Sequence, residues 1–158
     1  MVDSNIDRLR ITHVITGLET GGAEKMLYRL LRLHQGLYVE LSVISLREIG
    51  PIGRKIQSLG ITVMPVGAKP NSIPSLANLV RLIDFVRKSK PHVLQGWMYH
   101  GNLAATISSL FCFPRPRTLW NVRQSLDSIE KERPFTRIVI KLSAWLSVLT
   151  NGIIYNSR

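Results

Sequence analysis

The sequence predicts an α/β protein built on a doubly wound parallel sheet with helices on both faces. Short, apolar, β-branched segments alternate with helical patterns from one end of the chain to the other, as strand–helix–strand crossovers require. Hydrophobic residues make up 45% of the 158, enough for one core without a disulfide or metal staple. Cys112 is the only cysteine, so no internal disulfide forms and a cytoplasmic location is expected.

The first strand is expected at 10–16 (RITHVIT), where Gly17 stops it. The loop 17–22 (GLETGG) leads into a helix at about 23–34. Met26, Leu27, Leu30, Leu31 and Leu33 share its broad apolar face, and Gly36 ends it. Residues 39–46 (VELSVISL) read as the second strand. Pro51 and Gly53 mark a turn, 56–59 a short helix, and Gly60 leads into a third strand at 61–66. A helix over 74–88 follows, with Pro74 in its first turn, where a missing N–H costs nothing. Leu76, Leu79, Val80, Ile83 and Val86 form its apolar face. Pro91 precedes a fourth strand at 92–95, and a helix at about 102–110 ends before Pro114 and Pro116. Residues 117–122 (RTLWNV) form the fifth strand, 134–149 the last helix and 152–155 the sixth strand. Right-handed crossovers turn this order into a three-layer, Rossmann-like domain. The chain stops three residues after the sixth strand, so 1–158 is expected to be one domain whose partner domain lies elsewhere.

Lysine and arginine number 21 against 10 acids, a net charge of +11. Such a chain attracts polyanions: nucleic acid, anionic lipid headgroups or phosphorylated substrates. The N-terminus carries early acids and no apolar h-region, so it does not read as a signal peptide. The nearest candidate for a membrane span, 138–154, is broken by Lys141, Thr150 and Asn151.

Two segments carry chemistry. The loop 17–24 places Gly21 and Gly22 at a helix start, where free N–H groups favour anions and the missing side chains admit a ligand. A tight turn explains the same glycines. No Lys-Ser/Thr follows them and the spacing is not G-x-G-x-x-G, so neither a P-loop nor a dinucleotide fingerprint is present. Glu24 in the first turn complements the helix dipole. The second segment is 95–102 (QGWMYHGN), with Tyr99, His100 and Asn102 as polar groups in apolar surroundings. His100 reads either as a helix-capping residue or as a ligand contact. In a sheet of order 3-2-1-4-5-6 the loops after strands 1 and 4 splay apart and form the crevice. These two segments are those two loops.

The other histidines, His13, His34 and His92, have no metal-ligand spacing, so no metal is expected. Arg123 and Ser125 follow the fifth strand at the same edge and read equally as binding residues or as surface loop. Asp127, Glu130 and Glu132 read as solvated. The helix 135–149 is apolar nearly all round. It reads as a core or domain-interface helix, or as an interfacial membrane helix with Trp145 and the cations Arg133, Arg137 and Lys141 at the headgroups.

Taken together, ITHVITGLETGGAEKMLYRLL at 11–31, PHVLQGWMYHGNLAA at 91–105, NVRQS at 121–125 and IIYNS at 153–157 resemble glycosyltransferase family 4, in its N-terminal domain. The resemblance covers nearly the whole chain. It implies the N-terminal half of a GT-B fold and a retaining, metal-independent transfer of sugar from a nucleotide-sugar donor to a glycan or lipid-linked acceptor. It further implies that Gly21 and Gly22 lie near the donor phosphates and that His100 contacts the transferring sugar. Asn102, Arg123 and Ser125 fall on the acceptor side. The family's nucleotide-binding C-terminal domain, with its E-x7-E glutamates, has no counterpart here, so 1–158 alone is expected to be inactive. Two rival readings stand: a basic binding module for anionic lipid or nucleic acid, and half of a nucleotide-sugar epimerase. The basic residues are scattered and no nucleic-acid motif is present, so no nucleic-acid partner is expected. Attachment to an anionic membrane surface is.

Overall fold

The computed structural model describes residues 8–34, 38–70, 74–122 and 134–155. Its strands are β1 (Leu9–Ile15), β2 (Val39–Ser45), β3 (Thr62–Pro65), β4 (Val93–Trp97), β5 (Arg117–Val122) and β6 (Gly152–Tyr155). Its helices are α1 (Gly22–Leu33), α2 (Gly50–Gln57), α3 (Leu76–Ser89), α4 (Met98–Ser109) and α5 (Pro134–Leu146), the last closed by a 3-10 turn over Ser147–Leu149. The six strands form one sheet of order β3-β2-β1-β4-β5-β6, and every pairing is parallel. This is the doubly wound topology that strand–helix alternation predicts, with its switch point between β1 and β4.

Adjacent strand residues point to opposite faces, so each central strand feeds two cores. Ile15, Val43, Val63 and Trp97 meet Leu27 and Leu31 of α1 and Ile52 and Ile56 of α2 on one face. Val14, Ile44 and Leu94 meet Leu82 and Val86 of α3 and Ala105 of α4 on the other. Burying each of these Val, Leu and Ile side chains contributes about 1.5–3 kcal/mol.

Several boundaries differ from the sequence reading, each for a local reason. The turn at Pro51 and Gly53 is helical: α2 begins at Gly50 and takes Pro51 into its first turn. Pro74 lies outside α3, which Ser75 caps instead. Its hydroxyl accepts from Asn78 N at 3.2 Å, and Asn78 Oδ1 accepts from Ser75 N at 3.0 Å. The buried face of α3 is centred on Leu82 and Val86, leaving Leu76 and Val80 exposed. On α1, Leu27 and Leu31 are buried while Met26 and Leu33 face outward. Gly36 lies outside the described residues.

The largest difference is at 95–102. The strand runs on to Trp97 and the helix opens at once with Met98, which holds the left-handed φ of 62°. A non-glycine residue there is strained, and such strain persists only where the surroundings enforce it. Two glycines do so. A Cβ on Gly101 would stand 2.5 Å from the Val14 carbonyl oxygen, and one on Gly96 would stand 2.5 Å from Asn102 Cα. The first turn of α4 is therefore pressed onto β1 and β4 with no room for a methyl.

The helix α5 carries apolar residues on both its buried and its outward side. Val139, Ile140 and Ser143 are buried, and the helix packs on α4. Ile138, Leu142 and Trp145 form an outward ridge, Trp145 being 76% exposed.

Candidate functional site

The C-terminal ends of β1 and β4 lie side by side, with Ile15 paired to Trp97. The glycine loop leaves the first end and α4 leaves the second. Gly17 and Leu18 are buried while Glu19 and Thr20 are exposed, so the loop roots in the core and projects its tip. Leu18 is the root: it is fully buried, and its carbonyl accepts from Ile52 N at 3.0 Å. Gly50, at φ +61°, passes directly against that carbonyl, where a Cβ would clash. A left-handed glycine in α2 thus fixes the loop after β1.

Gly21 is the N-cap of α1, in an extended conformation and with no side-chain hydrogen bond to the first turn. The Glu24 carboxylate folds back against it, as a negative group at a helix N-terminus should. Gly22 is exposed, and a Cβ built on it meets nothing within 4 Å. A methyl there would point into open space, where a ligand has access.

His100 is the third residue of α4 and half-buried, in the same first turn that Gly101 seats against the end of β1. The structure therefore brings Gly21, Gly22 and His100 to one edge of the sheet, from segments far apart in sequence. Asn102 departs from the expected acceptor-side surface. It is 1% exposed; its Oδ1 accepts from Asn121 N at 3.3 Å and its carbonyl accepts from Thr106 Oγ1 at 3.1 Å. Thr106 Oγ1 in turn accepts from Trp120 Nε1 at 2.8 Å. The close approach of α4 to Gly96 drives Asn102 inward, where it ties α4 to β5 and so holds the His100 turn from below. Arg123 and Ser125 lie outside the described residues, as do Asp127, Glu130 and Glu132.

Sequence reasoning missed the support beneath β4. Trp97 Nε1 donates to His13 Nδ1 at 3.2 Å, and the rings meet edge to face, their centroids 6.1 Å apart. An accepting Nδ1 puts the proton of the neutral ring on Nε2. Burial drives the His13 pKa down to about 4, His34 adds to the shift, and a hydrogen bond with Gln95 opposes it. His13 is therefore a neutral wedge that holds the last residue of β4. The available signal was its place in a buried strand, with Gln95 opposite. Among the described residues, no three His, Cys, Asp or Glu side chains gather as a metal site.

No protein-family model matches the sequence, and no curated protein does. Solved structures do match. The chain is similar to MurG of Acinetobacter baumannii, with a TM-score of 0.64 and 10% identity, over 95% of this chain and 42% of that one. It is also similar to the UDP-GlcNAc 2-epimerase of Methanocaldococcus jannaschii, with a TM-score of 0.58 and 10% identity, over 94% of this chain and 40% of that one. These are GT-B-fold proteins, and the likeness is one of fold. The chain spans about two-fifths of the length of either structure.

Proposed function

We propose that this chain is the N-terminal domain of a retaining, metal-independent glycosyltransferase of the family-4 type. It works with a C-terminal domain that binds the nucleotide, and it moves sugar from a nucleotide-sugar donor to a glycan or lipid-linked acceptor. The observation that carries this reading is the meeting of the glycine loop and the His100 turn at the β1–β4 switch point, where a doubly wound sheet binds its ligand. In this reading the N-terminus of α1, opened by Gly21 and Gly22, stabilises the negative charge that builds on the departing diphosphate. His100 hydrogen-bonds the transferring sugar, on which positive charge develops. Asn102 acts from below by holding the His100 turn, and Arg123 and Ser125 serve the acceptor. The outward ridge of α5, with Arg137 and Lys141 near it, rests on an anionic membrane surface at the cytoplasmic face. No described helix is long and apolar enough to cross a membrane.

The likeness to a UDP-GlcNAc 2-epimerase supports a second reading, in which the same edge serves isomerisation of a nucleotide sugar. Product analysis separates the two: transfer yields a free nucleotide and a lengthened acceptor, epimerisation a new nucleotide sugar without acceptor. The decisive variants are Gly22→Ala and His100→Ala in the two-domain protein. Gly22→Ala should weaken donor use with no loss of folding stability, because its methyl enters space that only a ligand fills. His100→Ala should lower turnover about 10²–10³-fold, the usual effect of removing one preorganised polar contact. Full activity in a well-folded His100→Ala protein would refute the histidine's role.

A further inference from the structure

Beyond the switch-point edge, the most distinctive feature of the surface is a groove of about 410 Å³ between α1 and α2. Lys25, Arg29 and Arg32 line it from α1, and Lys55 faces them from α2. The α1 residues stand at i, i+4 and i+7, so they form one row along the helix. Thr20 of the glycine loop closes one end and the Tyr28 ring lies beside the row. Among the described residues, no carboxylate lines the groove.

Some cations elsewhere in the fold are engaged. Lys88 pairs with Asp84 at 2.7 Å, Arg81 donates to the Val66 carbonyl at 2.9 Å, and Arg87 donates to that of Phe111 at 2.9 Å. Among the described residues, none of the four groove cations has an ion pair or a side-chain hydrogen bond. Like charges at i, i+3 and i, i+4 repel and weaken a helix. Placing a fourth cation across a concave surface concentrates the field rather than relieving it. An anion bound between the helices removes that repulsion. Two guanidinium groups supply the planar, paired donors that match phosphate oxygens, and Lys25 and Lys55 supply point charges. The volume is that of a small-ligand site.

We propose that the α1–α2 groove binds a phosphate-bearing group through Lys25, Arg29, Arg32 and Lys55. The site adjoins the glycine loop through Thr20 but uses neither Gly22 nor His100, so it stands or falls apart from the transferase reading. A soluble phosphate compound and a phospholipid headgroup present the same chemistry to it.

The test uses the 158-residue chain, with pyrophosphate as the soluble probe and vesicles of phosphatidylglycerol mixed with phosphatidylcholine as the lipid probe. Arg29→Gln/Lys55→Gln removes two groove charges. Arg115→Gln/Arg117→Gln removes two at the opposite edge of the sheet and serves as the control of equal net charge. Calorimetric titration should show pyrophosphate affinity falling about tenfold or more in the groove variant. In the control it should change less than about twofold, as exposed charges far from a site do. Loss of vesicle flotation in the groove variant alone would assign the site to a headgroup. Unchanged flotation with lost pyrophosphate binding would assign it to a soluble phosphate compound. Equal affinity in all three proteins, or an equal loss in both variants, overturns the proposal. Amide shifts of the unmodified chain on adding pyrophosphate give a readout that needs no variant. They should centre on residues 20–32 and 51–55, and shifts confined to other segments would also overturn it.

Discussion

Acidification should destabilise this protein through one buried imidazole. His13 lies in β1 at 3% exposure, accepts from Trp97 Nε1 at 3.2 Å and is hydrogen-bonded with Gln95. A proton arriving on Nδ1 would break the Trp97 bond and leave a charge in the core, with His34 nearby. The folded ring therefore resists protonation until about pH 4, whereas an unfolded histidine takes up its proton near 6.5. Between those values the unfolded chain binds one more proton than the folded one, so stability rises with pH and falls on acidification. At about 1.4 kcal/mol per pH unit, the window from about 6.5 down to about 4 removes about 3 kcal/mol. That is a large share of the ~5–15 kcal/mol typical of a domain. Urea unfolding at a series of pH values should show the midpoint falling through this window with little change in slope. His13→Asn keeps an acceptor for Trp97 and abolishes the titration, so its midpoint should vary less with pH by the equivalent of one proton. An identical pH dependence in wild type and His13→Asn would refute the argument, as would a flat wild-type profile.

Gly101→Ala should destabilise the fold by about 1–3 kcal/mol through overpacking against the Val14 carbonyl, read as a lowered thermal midpoint. Gly22→Ala in the same assay should lose nothing; equal losses would mean that the two glycines do not differ in their surroundings. At α5, Leu142→Glu/Trp145→Glu should abolish flotation with anionic vesicles without lowering the thermal midpoint, because both side chains face outward. Binding of the unmodified chain should fall as salt screens the ~1 kcal/mol that each nearby cation contributes. Equal binding to neutral vesicles at high salt would refute the electrostatic part.

The fold was legible because its cause is local and repeated. Apolar runs such as VELSVISL and RTLWNV separated by helical patterns leave a parallel sheet as the way to cover both strand faces, and the handedness of the crossovers leaves few orders to choose from. The edge of the sheet that carries the candidate site followed from the same topology. Boundaries were legible where one residue decides them, as at β5 and β6, whose limits match the sequence reading.

What the sequence alone determined, then, is the layer order and the meeting of the glycine loop with the His100 segment, since both follow from periodicity and chain direction. Only the tertiary structure decided which residues of those segments are buried and which are accessible at the sheet edge. Asn102 and His100 are two positions apart on one helix, yet one is buried under β5 and the other is half-buried in the turn at the sheet edge. The difference arises from Gly96 and Gly101, whose missing side chains let α4 settle onto β1 and β4. The groove is of the same kind. Lys25, Arg29 and Arg32 are visible in the sequence as one row on a helix, but Lys55 joins them only because Gly50 and Leu18 lock α2 beside the glycine loop. Helix periodicity orders residues along one element. Which element stands opposite depends on contacts between segments distant in sequence, and no local pattern encodes those.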